Sequence, residues 1–231
     1  MRPTPDDEST APTGVAPVES WRGELIVGNG WARFFGRAGA AAPIACHSTQ
    51  VVTAICSWTP IGTGGMPAVP MAGAIVRSGE SYHIDPERPQ VMVMFADARL
   101  PGGGWLETHA KGSLLRLSSN RAAQWRRLMF TLDRESDLRG LLEASFPNRL
   151  DADRAIPPAG PAATSAAIVT WQRVARTVDA YRDGAALPQA ARQAGFPSVG
   201  HCTRAFRLLF GLSPTALLGA VHAGRGVVPS S

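Results

Sequence analysis

Two short apolar runs, Leu25-Ile26-Val27 and Trp31-Ala32-Arg33-Phe34-Phe35, flank Gly28-Asn29-Gly30. That pattern predicts a β-hairpin, because Asn-Gly supplies the positive φ angles of a tight hairpin turn. Further short strands are expected at Thr49–Ser57, Ala72–Val76 and Val91–Phe95. Gly- and Pro-rich stretches at Thr59–Pro70, Arg77-Ser78-Gly79 and Pro101–Gly104 read as the turns between them. Several short strands with turn signals in between point to an all-β barrel or sandwich.

The periodicity changes after about His109. Asn120–Thr131 and Glu135–Ser145 place Trp125, Leu128, Met129 and Leu132, then Leu138, Leu141 and Leu142, at helical spacing, with an Arg-rich opposite face. Asp151–Ala167, with Pro157-Pro158, Gly160-Pro161 and many alanines, reads as a linker. From Ser165, a possible cap, a helix is expected to run to Asp183-Gly184, burying Ile168, Trp171, Val174, Ala175, Val178 and Tyr181.

The last third holds the most specific pattern. A helix over Leu187–Ala194 meets Gly195-Phe196 and then a second helix from about Ser198 to Phe210. Two helices joined by a short Gly-containing turn match helix-turn-helix geometry. Gly195 suits the left-handed ending of the first helix, Phe196 can staple the pair, and Ser198 stands where a cap is needed. At 100° per residue, Cys202, Ala205, Phe206 and Leu209 share one narrow face. Gly200, Thr203, Arg204 and Arg207 fall opposite, with His201 and Leu208 on a flank. A helix with an aromatic inner side and small, polar and Arg residues outside suits a DNA major groove, where Arg binds guanine or a phosphate in bidentate fashion. Gly211, Ser213 and Pro214 then end this helix and start a final one, Pro214–His222, expected to bury Leu217, Leu218 and Val221.

Charge sharpens the picture. The 231-residue chain carries a net +5, unevenly: residues 1–109 hold 7 basic and 10 acidic groups, residues 110–231 hold 16 and 8. A basic C-terminal half points to a polyanionic partner, nucleic acid first. Residues 1–20 mix Pro, Thr, Ser and acids and are expected to be disordered. They lack the apolar core of a secretory signal, and no run is long enough to span a membrane. With three cysteines (Cys46, Cys56, Cys202) outside any CxxC spacing, the expectation is a cytoplasmic protein without membrane association.

The string AARQAGFPSVGHCTRAFRLLFGLSPTALL resembles the second helix-turn-helix of AraC-type (AraC/XylS) transcriptional regulators, at Ala191, Gly195, Phe196, Ser198, His201, Thr203, Arg204, Phe206, Arg207, Phe210, Gly211, Ser213 and Pro214. Cys202 stands where the family usually has Phe. The resemblance implies base-reading positions at Val199, Gly200, His201, Thr203 and Arg204, a phosphate contact at Arg207, and Ser198 as part of the same DNA-binding set. The helix through Trp171-Gln172-Arg173 resembles the family's linker helix. The family usually carries a second unit upstream. Here only 19 residues separate Asp151 from Trp171, two Pro-containing pairs among them, so the first unit is missing.

The N-terminal β region resembles the cupin-like sensor domains of some such regulators. Of the subgroup's His-rich run only His47 remains, in Pro43–Gln50, and Ser81-Tyr82-His83 resembles the later half of a cupin core. His47, His83 and Trp31 are candidate ligand contacts, and Trp31, Trp58 and Trp105 candidate lining of a barrel mouth. Two imidazoles are too few for a metal, and neither a metal nor a cofactor is expected.

The sequence thus predicts an α+β protein: a tail over 1–20, a cupin-like β-barrel or jelly roll over 21–110, a helical connector over 111–150, a linker over 151–164 and an all-α helix-turn-helix region over 165–224. The expected function is sequence-specific regulation of transcription by a non-enzymatic homodimer that binds double-stranded DNA and responds to an unknown small-molecule effector. Two rival readings are a non-DNA-binding modulator that pairs with a full-length relative, and a cupin-type metal enzyme.

Overall fold

The computed structural model describes residues 21–39, 43–56, 58–63, 67–84, 90–110, 112–146 and 161–223. The expected tail over 1–20 and most of the linker lie outside these residues.

The protein is α+β. Strands β1 (Arg22–Val27), β2 (Trp31–Arg37), β3 (Ser48–Ala54), β6 (Gly73–Val76), β8 (Gln90–Asp97) and β9 (Leu114–Leu117) form one antiparallel sheet in the order β1-β2-β8-β3-β6-β9. Strands β4 (Thr59–Thr63), β5 (Val69–Met71) and β7 (Tyr82–Ile84) form a second, ordered β5-β4-β7. The strand order of the larger sheet is linear, with β1 and β9 at its edges, so among the described residues the expected barrel or jelly roll is represented by two separate antiparallel sheets.

Alternation along the central strand β8 explains the layers. Val91, Val93 and Phe95 point to one side and Met92, Met94 and Ala96 to the other, all fully buried. A strand buried on both faces loses the polar alternation of a one-sided sheet, which is why Val91–Phe95 reads as a continuous apolar run. Helices α1 (Pro101–His109), α2 (Ser119–Thr131) and α3 (Leu138–Ser145) cover the Met92 side through Trp105, Leu106, Trp125, Met129 and Leu142. Helices α4 (Pro161–Arg182), α5 (Leu187–Gln193), α6 (Val199–Phe210) and α7 (Pro214–Ala223) cover the Val93 side, together with Ile61, Tyr82 and Ile84 of the second sheet.

Several expectations need correction. In the hairpin turn only Gly30 has a positive φ (88°), since no described non-glycine does. Thr59–Pro70 holds β4 and the start of β5, whose prolines face each other as the register pair Pro60 and Pro70. Pro101–Gly104 opens α1: Pro stands at the first turn, where its missing N–H costs nothing. Gly103 there lies so close to β8 that a Cβ would come 2.1 Å from the Asp97 carbonyl oxygen. Within the stretch expected as a helical connector, β9 adds the last strand of the larger sheet, and α2 and α3 pack on it. Helix α4 begins at Pro161 and encloses Ser165, which therefore does not cap it, while Ser118 and Asp137 cap α2 and α3. Among the described residues no helix is long and apolar enough to cross a membrane.

Candidate nucleic-acid interface

The α5–α6 pair is built from local signals. Gly195 adopts φ 85°, which frees the chain to turn back, and the N–H of Phe196 reaches the Ala191 carbonyl at 3.0 Å. Phe196 buries its ring beneath the Arg173 guanidinium, 6.0 Å from the ring centre. The Ser198 hydroxyl accepts from the His201 N–H at 3.3 Å and caps α6.

The two sides of α6 then separate as the angular pattern requires. Cys202, Phe206, Leu209 and Phe210 are fully buried, and Ala205 nearly so. Ser198, Gly200, His201, Arg204 and Arg207 are exposed, with Val199 and Thr203 half-buried. His201 is tied to its own cap, Nδ1 lying 2.9 Å from Ser198 Oγ. The ion pairs among the described residues use other arginines (Arg33, Arg77, Arg99, Arg134, Arg139 and Arg182), so Arg192, Arg204 and Arg207 keep unpaired guanidinium groups. Between Leu187 and Gly219 there is no Asp or Glu. Among the described residues these three arginines therefore carry positive charge without an ion-pair partner.

Gly200 is informative by what it does not touch. A Cβ there would meet only Ser198 Oγ, at an ordinary 3.5 Å. Glycine in a helix costs about 0.5–1 kcal/mol relative to alanine, and nothing among the described residues requires it here.

Tertiary contacts hold the other end of α6. The Leu208 carbonyl accepts from the His47 N–H at 2.7 Å. Phe210 sits edge-on to Phe95 (5.2 Å) and Trp171 (5.6 Å). Gly211, with φ 69°, lies where a Cβ would be 2.6 Å from Ile44 Cγ2. The helix is thus clamped to the sheet at its C-terminus and open to solvent toward its N-terminus.

Sequence reasoning missed the joint that holds α4 to the sheet. Asp97, fully buried at the end of β8, accepts from Trp171 Nε1 at 2.9 Å and is chelated by Arg99. Burial works to raise the Asp97 carboxyl, but hydrogen bonds from Arg99 and Trp171, with the Arg99 charge, hold it below its ordinary value. Arg182 donates to the Leu25 carbonyl (2.9 Å), and Arg134 forks onto Asp179. The signal available was an acid closing an otherwise apolar strand, Val91 to Asp97, but its partner lies 74 residues away.

The structure does not bring the candidate ligand contacts together. Trp31 is buried on the α1–α3 side, its Nε1 donating to the Ser136 carbonyl at 3.3 Å. His47 is exposed beside the end of α6, and His83 is half-buried on β7. Trp105 shares the Trp31 cluster, stacked on His109, while Trp58 is largely exposed, so the three tryptophans line no common mouth. On the Val93 side, Tyr82 OH donates to Gln50 Oε1 (2.5 Å) and Gln50 Nε2 donates to Cys46 Sγ (3.2 Å). Burial pushes the Cys46 thiol up to about 12 and the Cys202 thiol up to about 11, which leaves both unreactive. Among the described residues no group of three or more His, Cys, Asp or Glu could hold a metal ion.

No family model matches the chain, and no curated protein matches it. Solved structures show partial likeness. A ligand-free ToxT from Vibrio cholerae is 10% identical, covering 85% of this chain and 99% of its own, with a TM-score of 0.47. Another ToxT structure from that organism is 10% identical over 91% of this chain and 97% of its own, with a TM-score of 0.37. Protein NMB1881 from Neisseria meningitidis is 16% identical over 35% of this chain and 89% of its own, with a TM-score of 0.29.

Proposed function

We propose that the chain is a sequence-specific DNA-binding transcriptional regulator of the AraC type, in which α5 and α6 act as a helix-turn-helix and α6 enters the major groove. The observation that carries this reading is the outward stripe of α6: Gly200, Thr203, Arg204 and Arg207 make no side-chain hydrogen bond or ion pair among the described residues. A glycine that costs stability and meets no neighbour gains a purpose if base edges approach the backbone there. Val199, His201, Thr203 and Arg204 then face bases, with Arg204 the bidentate reader of guanine. Arg207, one turn further toward the clamped end, takes a phosphate, as does Ser198 at the cap. The sheet holds α6 at a set angle, and an effector acts only by favouring one dimer geometry over another.

The test is selection of bound duplexes from a random pool, followed by gel shifts over a salt series. Wild type is expected to enrich a motif and to show a steep salt slope. Arg204→Ala should lose preference at one position by about tenfold or more, whereas Arg207→Ala should weaken all sequences alike and lower the slope by about 1. No enriched motif, or identical behaviour of both variants on every fragment, refutes the assignment.

A second reading follows from the short interval between Asp151 and Trp171, which leaves one reading helix per subunit. A single helix makes few phosphate contacts, so avidity must come from a partner. A modulator that pairs with a full-length relative would form mixed species on size exclusion while leaving DNA unshifted.

A further inference from the structure

We propose that the acidic N-terminal segment, residues 1–20, docks on the arginine face of α6 and competes there with DNA. The proposal rests on the reading of α6 given above and adds a partner for the same surface. Three observations carry it. The first is charge: Asp6, Asp7, Glu8 and Glu19 stand against a single basic residue, Arg2, in that segment. The α5–α7 stretch, Leu187 to Gly219, carries Arg192, Arg204 and Arg207 and no acid at all. The six described ion pairs leave those three arginines unpaired.

The second is the point of attachment. The segment joins the described chain at Trp21, whose N–H donates to the Ala216 carbonyl of α7 at 3.1 Å. Helix α7 packs against α6. The acidic segment is therefore tethered to the helical unit that bears the arginines, although it precedes the sheet in sequence.

The third is reach. The span from Glu8 to Trp21 is at most about 45 Å when fully extended. Helix α6 is only about 18 Å long at 1.5 Å per residue. A tether longer than the helix itself, anchored on the neighbouring α7, is long enough to span α6, and tethering by a short linker supplies an effective concentration on the order of millimolar. Carboxylates on a short chain offer guanidinium groups the same bidentate acceptor geometry as phosphates, so one surface serves either partner.

The test uses the full-length chain with Asp6→Asn, Asp7→Asn, Glu8→Gln and Glu19→Gln combined. Its affinity for a non-specific duplex is measured beside wild type at about 50 mM and about 300 mM salt, where the Debye length falls from about 14 Å to about 6 Å. In parallel, a labelled peptide of residues 1–20 is titrated into the neutralised chain and into the same chain with Arg204→Glu and Arg207→Glu. The neutralised chain should bind DNA about three- to tenfold tighter at low salt, with the difference gone at high salt. The peptide should bind it and lose binding on charge reversal. Equal DNA affinities of the two chains overturn the proposal and leave the DNA-binding reading standing. No DNA binding by either chain refutes that reading instead, and the peptide titration then decides whether the segment docks. A peptide that fails to bind, or binds the charge-reversed chain equally well, overturns it.

Discussion

Trp171 Nε1 donates to Asp97 Oδ2 at 2.9 Å, and this bond fastens the long helix α4 to the end of the central strand β8. The carboxylate has no exposure to solvent, so its charge is balanced wholly by protein donors: this indole, and the backbone N–H and guanidinium of Arg99. Trp171→Phe keeps an aromatic ring against Phe210 but removes both the donor and the second ring of a fully buried indole. It should destabilise the fold by about 2–5 kcal/mol, from a buried acceptor left short of a partner and from the cavity. Equilibrium urea unfolding of the two proteins measures it, and an unchanged midpoint would show that the bond does not hold the helix.

The same carboxylate sets an acid limit. Its folded value lies below the ordinary carboxylate value that it has when unfolded. Its contribution is therefore fully present above that ordinary value and is lost as pH falls through the lower, folded one. The urea midpoint of wild type should drop on acidification below about pH 4. Asp97→Asn should be about 1–3 kcal/mol less stable at neutral pH, because the charge-assisted bonds from the partly exposed Arg99 are lost, and should show a shallower acid decline.

Two glycines with positive φ predict different costs. At Gly195 (φ 85°) an added methyl would have only Arg173 Nε near it, at 3.8 Å, so Gly195→Ala should cost about 1–2 kcal/mol from the left-handed backbone alone. Gly211 (φ 69°) has Ile44 Cγ2 at 2.6 Å and the Ala45 carbonyl oxygen at 3.0 Å from the same position, so the substitution there adds a clash where α6 meets the sheet. Thermal unfolding should rank Gly211→Ala well below Gly195→Ala; the reverse order would contradict the clamp.

Gly200→Ala separates folding from recognition. An added methyl meets only Ser198 Oγ at 3.5 Å, so the helix should gain about 0.5–1 kcal/mol. If α6 enters the major groove as proposed, DNA affinity should nevertheless fall, because the methyl would stand where base edges approach. A stabilised variant with undiminished DNA binding would remove Gly200 from the interface.

Much of α6 is legible in the chain because each of its signals is local. Ser198, Gly195 and Gly211 act within one turn, and the spacing of Cys202, Ala205, Phe206 and Leu209 describes a helix face without reference to anything else. The strands were harder to place. Pro60 and Pro70 are breakers by composition yet sit opposite each other in β4 and β5, where the pairing register accommodates them. Gly102-Gly103-Gly104 reads as a turn but is helical, and at Gly103 only a residue without a side chain fits against Asp97.

What the sequence determined alone is the set of short-range choices: hairpin, caps, helix faces, and a basic C-terminal half with an acidic start. Tertiary structure alone decided that Val93, Phe95 and their neighbours pack against α4–α7, that Trp31 turns to the opposite side of the sheet, and that Trp171 finds Asp97. The physical reason is that apolar burial is non-directional. A periodic stripe states that a face will be covered but does not name its partner. That choice falls to long-range packing and to the few buried polar groups that must find one another.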